Sequence, residues 1–289
     1  MILVQVVASG LLLGGVYALL AVGLTLIFGV MKLVNFAHGD FLMVAMYIAF
    51  VLVTTLGINP YLTIPVTAVV MFFVGAGMHH FFLRHTLDRG HSNQMVLTLG
   101  IATVLQSLAL MIFSGNFLSL PPSASGFGAS VVIGGVHLST TRVVSFIVAS
   151  VTTGALLLFM NRTLIGKSMR ATSQDTMAAI MMGIPVDRIY LLAMGLGTAL
   201  VGVAASILIP MFAVYPTLGG DLILLGFVVV VLGGLGNIGG AYVGGLIIGV
   251  VEAVSALYFG GVASQAIYFL LFVLLLLVRP QGLFRGEAG

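Results

Sequence analysis

Long stretches without a single charged side chain dominate this chain. They run from residues 1 to 31, 41 to 83, 90 to 141, 143 to 161, 189 to 220, 222 to 251 and 253 to 278. Each is long enough for at least one membrane-crossing helix of about 20 residues, or about 17 at the short end. Only 6% of the 289 residues are charged and 61% are hydrophobic, whereas soluble domains carry roughly a quarter charged residues. A soluble globular protein is therefore excluded. The 10 Lys and Arg flank the apolar stretches instead of forming a patch, so no nucleic-acid partner is expected. The absence of Cys removes disulfides and thiolate metal chemistry, and the absence of Trp leaves Tyr to supply any aromatic belt.

The expected fold is all-α: a polytopic transmembrane helix bundle with broken or re-entrant helices, forming one domain over residues 1–289. The stretch from 41 to 83 is split by Gly57-Ile58-Asn59-Pro60, because Pro disfavours helix at the preceding residue. Between Asp221 and Arg279 the only charge is Glu252. As one helix this segment would extend roughly 85 Å against a hydrocarbon core of about 30 Å. It must cross about three times, or cross once and include a re-entrant piece. Nine spans are predicted, near 3–29, 38–56, 61–82, 94–113, 143–161, 189–212, 222–235, 240–259 and 262–278. The first has no Lys or Arg before it and is too long for a signal-peptide core, so it is expected as a membrane helix.

Lys and Arg are retained in cytoplasmic loops. Arg84 and Arg89, then Arg162, Lys167, Arg170 and Arg188, then Arg279 and Arg285 mark three cytoplasmic segments. The uncharged segment 114–141 is expected outside, with Val131-Val132-Ile133 and Val136-His137-Leu138 forming a small hairpin around Gly134-Gly135. It reads either as an external contact surface or as a lid over helix ends. The N-terminus then lies outside and the C-terminus inside. Glycine marks helix packing: Gly236, Gly240 and Gly244, Gly245 and Gly249, and Gly10 and Gly14 recur at spacings of four, which lets backbones approach closely. The run Gly233 to Gly240 also reads as an unwound segment lining a path.

Enzymatic chemistry is sparse. Asn161 to Ser168 reads N-R-T-L-I-G-K-S, which lacks the first glycine of a phosphate loop and follows a membrane helix instead of a strand. His79, His80, His85 and His91 surround one loop without carboxylates at ligand spacing and read as interfacial side chains, so no metal or cofactor is expected. Polar groups inside spans are better pointers to function, because they are costly in lipid. Asn35, His38 and Asp40 in N-F-A-H-G-D suggest a broken helix with a gating or path role, with Gln106 and Asn237 as neutral companions. Glu252 reads equally as a clamp within the bundle or a lining residue of the route.

The segment 162–188 carries four of the basic residues, and its 27 residues far exceed the roughly 2 to 8 that a helix connection needs. Residues 173–183 are expected to form a short amphipathic helix, with Thr172-Ser173 as caps and Gly183 as the stop, suited to docking in a partner's groove.

Within that helix, Ala178-Ala179-Ile180-Met181-Met182-Gly183 resembles the coupling-loop signature of ABC importer permeases, with Met177 where the usual pattern has Glu. G-L-T-L-I-F-G-V-M-K-L-V-N-F-A-H-G-D from Gly23 to Asp40, V-L-G-G-L-G-N-I-G-G from Val231 to Gly240, and R-P-Q-G-L-F from Arg279 to Phe284 resemble the branched-chain amino acid transporter permease family, in its shorter, H-type subunit. The resemblance extends over nearly the whole chain. It implies a multi-pass permease of the bacterial inner membrane that is not itself an enzyme. It further implies a second permease subunit, two cytoplasmic ATPase subunits and an extracytoplasmic substrate-binding protein. Arg170, Ala178, Ala179 and Gly183 are then expected to couple ATPase closure to the membrane helices. Related permeases handle branched-chain amino acids, other amino acids and small amides such as urea. Two other readings compete with this one: an ion-coupled secondary carrier using Asp40 and Glu252, and a structural subunit that scaffolds a partner pore.

Overall fold

The first helix, α1 (Ile2–Met31), is apolar on every side, and from Val16 to Ile27 every residue is buried. A helix with no polar face needs neighbours all round it. These are supplied by α5 (Thr140–Arg162), α8 (Val186–Leu208), α9 (Leu218–Gly233) and α10 (Ile238–Phe259). The computed structural model describes residues 2–86, 90–121, 130–133, 136–279 and 281–284. The remaining helices are α2 (His38–Leu56), α3 (Ile64–Phe81), α4 (His91–Phe113), α6 (Leu164–Gln174), α7 (Thr176–Met181) and α11 (Gly261–Val278). Short 3-10 turns at Pro60–Thr63 and Leu83–His85 open and close the α3 region.

All nine predicted spans are found as apolar helices. Among the described residues, 7 are long and apolar enough to cross a membrane. The 16-residue α9 is shorter, about 24 Å against a core of about 30 Å. The split at Gly57 to Pro60 occurs as expected: Gly57 closes α2 with φ 64, and the Asn59 side chain accepts from Tyr61 N where the next turn begins.

Glycine sets the helix spacing. α1 and α10 run antiparallel, and a Cβ on Gly14 would lie 2.6 Å from the Gly245 carbonyl oxygen, while one on Gly245 would lie 2.5 Å from Ala18 Cα. These are backbone contacts, so the expected small-residue ridges are built into this interface. The α3–α8 pair adds buried hydroxyls: Thr63 Oγ1 donates to Ser206 Oγ at 2.9 Å, and Thr198 Oγ1 donates to Met71 O at 2.8 Å. Such interhelical bonds contribute on average about 0.6 kcal/mol each in a membrane.

The predicted hairpin is present as antiparallel β1 (Ser130–Ile133) and β2 (Val136–Ser139), with Ser130 opposite Ser139 and Ile133 opposite Val136. The expected Gly134-Gly135 turn lies outside the described residues. The hairpin feeds directly into α5, and Gln5 Nε2 at the start of α1 donates to His137 O at 3.4 Å, which puts the N-terminal end of α1 on the hairpin side. A pair of backbone bonds between Leu118 and Val214 (3.0 and 2.8 Å) ties residues 114–121 to the α8–α9 connection. At the opposite end, His79 of α3 faces Asp187 of α8, the end of α1 meets the start of α10 and the segment 162–188, and Leu283 N donates to Leu232 O at the end of α9. The three basic segments therefore share one end of the bundle. Of their members, Arg89 and Arg285 lie outside the described residues.

Two local expectations are corrected. Thr172 and Ser173 do not cap the short helix but lie inside α6; the cap is Asp175, whose carboxylate accepts from Met177 N at 2.8 Å and Ala178 N at 3.0 Å. Aspartate competes well for free N–H groups, so it splits the segment into two helices. His79 is not an interfacial side chain but is fully buried on α3, with its Nε2 3.8 Å from Asp187.

Candidate functional site in the broken helix pair

The site begins where α1 stops. Lys32 adopts φ 54, a left-handed conformation that costs a non-glycine residue energy, and the chain turns back toward the bundle. Asn35 Oδ1 accepts from Ala37 N at 3.1 Å, holding the turn closed, and Phe36 stacks obliquely on Phe227 of α9 at 5.3 Å. His38 then opens α2 with its Nε2 3.3 Å from the carbonyl of Leu20. Leu20 lies 11 residues before the end of α1, or about 16 Å back along the helix. Helix α2 therefore starts within the bundle, as expected for a break inside the membrane.

The start of α9 meets the start of α2 there. A Cβ on Gly39 would overlap the Gly219 carbonyl, and one on Gly219 would overlap Asp40. Only glycine permits two helix starts to approach this closely. Asp40 occupies the first turn of α2, where the positive end of the helix dipole favours a carboxylate. Its Oδ1 accepts from Gln106 Nε2 of α4 at 2.9 Å. His38 and Asn35 are 0% exposed and Asp40 is 1% exposed. Among the described residues, Asn35 Nδ2 and His38 Nδ1 have no hydrogen-bond partner. A buried unsatisfied group costs about 1–3 kcal/mol, and groups kept in that state call for an explanation beyond stability.

Asn35, His38 and Asp40 are thus brought together, and Gln106 joins them. Glu252 stands apart: its Oε1 accepts from Tyr17 OH on α1 at 3.4 Å, and its buried Oε2 has no partner among the described residues. Tyr17 was not anticipated, because nothing local in the sequence links positions 235 apart. Asn237 caps α10, accepting from Gly240 N at 2.8 Å. Arg170 lies on α6, outside the short docking helix, and donates to Asn161 Oδ1 at 2.7 Å. Asn237 and Arg170 line the same cavity.

At the basic end, α7 holds Ala179 inward at 3% exposure, while Met177 (65%), Ile180 (54%), Met181 (81%) and Met182 (82%) face outward. Gly183 stops the helix with φ 79. Thr163 Oγ1 accepts from Gly166 N at 3.0 Å, so the phosphate-loop look-alike is a helix cap. Thr176 Oγ1 lies 3.4 Å from Tyr190 OH, and Tyr190 packs edge-on against His79, which links α7 to α8 and α3. On the hairpin side, Tyr215 donates to Asp221 Oδ2 at 2.9 Å. Burial and then the neighbouring carboxylate push its phenol up to about 12.

Residues 6–278 match the family model described as the permease component of the branched-chain amino acid transport system. The high-affinity branched-chain amino acid transport system permease protein BraD of Pseudomonas aeruginosa is 31% identical over 96% of this chain and 94% of its own length. The corresponding protein LivH of Escherichia coli is 30% identical over the same shares. A probable branched-chain amino acid transport permease protein LivH of Methanocaldococcus jannaschii is 30% identical over 96% of this chain and 91% of its own. No solved structure matches. A multi-pass membrane chain of apolar helices, broken where α2 and α9 meet and matched along almost its whole length, belongs to the branched-chain amino acid transport system permease family.

Proposed function

We propose that this chain is the permease subunit of an ATP-driven importer of leucine, isoleucine and valine in the bacterial inner membrane. It forms the translocation path with a second, related permease. The basic end of the bundle, with the C-terminus, faces the cytoplasm, in keeping with the retention of Lys and Arg there. Two cytoplasmic ATPases hydrolyse ATP, and an extracytoplasmic binding protein delivers substrate to the hairpin side. The observation that carries the reading is the exposed apolar face of α7, bounded by the Asp175 cap and Gly183 on the basic end. Exposed methionines suit a docking surface that must adapt to a partner.

In this reading, ATPase closure displaces α7 and with it α8, the next helix in the chain. Contact continues from α8 to the broken helices. A Cβ on Gly23 would lie 2.7 Å from the Gly197 carbonyl of α8 and 3.2 Å from His38 Nε2, so movement of α8 along α1 disturbs the start of α2. Asn35, His38 and Asp40 then act as the gate and Glu252 as a polar lining group, and alternating access follows from rocking α2 and α9 about their shared start. The branched-chain substrate is taken from the names of the relatives, together with the full-length match.

The test is to tag the chain, extract it gently from its native membrane, identify what copurifies, and measure uptake in vesicles made from the same preparation. Two ATPases, a related permease and ATP-dependent leucine uptake are expected. Uptake that ignores ATP depletion but vanishes with the ion gradient would replace this reading with an ion-coupled carrier acting through Asp40 and Glu252. ATP-dependent uptake of urea or another amide in preference to leucine would leave the importer and overturn its substrate.

A further inference from the structure

A cavity of about 170 Å3 with both polar and apolar walls opens at the basic end of the bundle, between the last turns of α1 and α5, helix α6 and the start of α10. That is roughly ten times the volume needed to admit one water. Three features converge on it. The first turn of α10 borders the cavity with Asn237, Ile238 and Gly239; Asn237 takes the Gly240 N–H, and the N–H groups of Ile238 and Gly239 have no acceptor within the helix. Arg170, a permanent cation, lines the wall, and among the described residues no carboxylate pairs with it. Thr25 also lines the cavity, is 0% exposed, and its Oγ1 has no partner among the described residues. Leu26, Leu157 and Met160 supply apolar wall to the same cavity.

We propose that this cavity binds an oxyanion carrying an aliphatic chain. The carboxylate or phosphate accepts from the α10 N–H groups, from the Arg170 guanidinium and from the Thr25 hydroxyl, while the aliphatic part lies against Leu26 and Met160. Helix N-termini receive anions in this manner because dipole and donors point the same way. A guanidinium adds charge-assisted bonds. Gly29 and Gly236, which oppose each other across the cavity's edge, carry no side chain that would block the approach. Two sources supply such an oxyanion: an aliphatic amino acid leaving the path, or an anionic phospholipid whose headgroup sits at this end. The amino acid source rests on the permease reading, whereas the lipid source does not.

The experiment measures binding without ATP or transport, so its failure is separable from failure of the uptake test. The full chain is purified with whatever subunits accompany it, as wild type, Arg170→Gln, Arg170→Lys and Thr25→Val. Phosphatidylglycerol retained by each is counted by native mass spectrometry, with phosphatidylcholine as the uncharged comparison. Binding of labelled leucine is measured beside competition by leucinamide, which lacks the carboxylate. One ligand is expected to bind the wild type and to weaken about tenfold or more in Arg170→Gln and Thr25→Val, as loss of a charge-assisted or buried hydrogen bond demands, with Arg170→Lys intermediate. Selective retention of phosphatidylglycerol assigns the lipid, and leucine binding that leucinamide does not compete assigns the amino acid. If neither ligand binds the wild type, or binding is equal in all four proteins, the proposal is overturned. The near-isosteric Thr25→Val decides the matter where Arg170→Gln does not fold.

Discussion

Gly14→Ala tests the packing of the central helix pair, and Gly100→Ala on α4 is its control. At Gly14 the added methyl would meet the Gly245 carbonyl oxygen at 2.6 Å and Leu246 Cα at 2.9 Å; at Gly100 it would meet nothing within 4 Å. The 2.6 Å approach falls about 0.8 Å short of the 3.4 Å at which ordinary contact begins, and the obstructing atoms are backbone, so α10 itself must retreat. Overpacking of this kind costs typically about 1–3 kcal/mol. Both substitutions gain the helix preference of alanine over glycine, about 1 kcal/mol, so that gain cancels in the comparison. The two proteins should therefore differ by about 1–3 kcal/mol, with Gly14→Ala the less stable. Thermal unfolding of the purified chain in detergent, followed by loss of the monodisperse fraction, reads the difference. Equal unfolding of the two variants would refute the close approach of α1 and α10.

Gly183→Arg should uncouple ATP hydrolysis from uptake or block ATPase assembly, since it loads a left-handed position beside the exposed face of α7 with a bulky cation; unchanged leucine uptake in vesicles would count against the coupling role. Gln106→Leu removes the donor to Asp40 and should destabilise the chain by about 0.6 kcal/mol, the average for interhelical bonds in membranes, and by no more than about 1.7 kcal/mol, while lowering uptake; both are read by unfolding and by transport of labelled leucine. Tyr17→Phe leaves Glu252 Oε1 without its phenol donor and should reduce uptake without affecting ATPase binding, which copurification checks. The raised pKa of Tyr215 stabilises the fold fully below about pH 10, the value of a free phenol. That contribution is lost as the pH climbs to about 12. Asp221→Asn should lower the pH at which its phenolate absorbance appears, taken as the difference from Tyr215→Phe.

Much of the architecture was legible in the amino-acid sequence. Spans could be placed because lipid offers no backbone hydrogen bonds, so a charge-free stretch must become a helix, and Pro60 and Gly57 had to interrupt one. The pairing of Gly14 with Gly245 was foreshadowed by spacing, though not which helices met. The break at Asn35 to Asp40 showed in its polar residues and Gly39. Its neighbour α9 did not, because Gly219 and Asp221 look like any helix start. The cap at Asp175 was misplaced by two or three residues, since several nearby side chains can serve and only their geometry selects one.

The residues alone determined that this chain crosses a membrane repeatedly, where its basic end lies in the sequence, and which family's motifs it carries. These follow from free energies paid locally: a charge in lipid, a helix interrupted by proline, a glycine at a left-handed turn. Tertiary structure decided the rest. It set His38 against Leu20, gave Glu252 the phenol of Tyr17, buried His79 beside α8, and brought Thr25, Arg170 and Asn237 around one cavity. Helices that are apolar on all sides have no polar face to announce which side is buried, so their partners emerge only when the bundle packs.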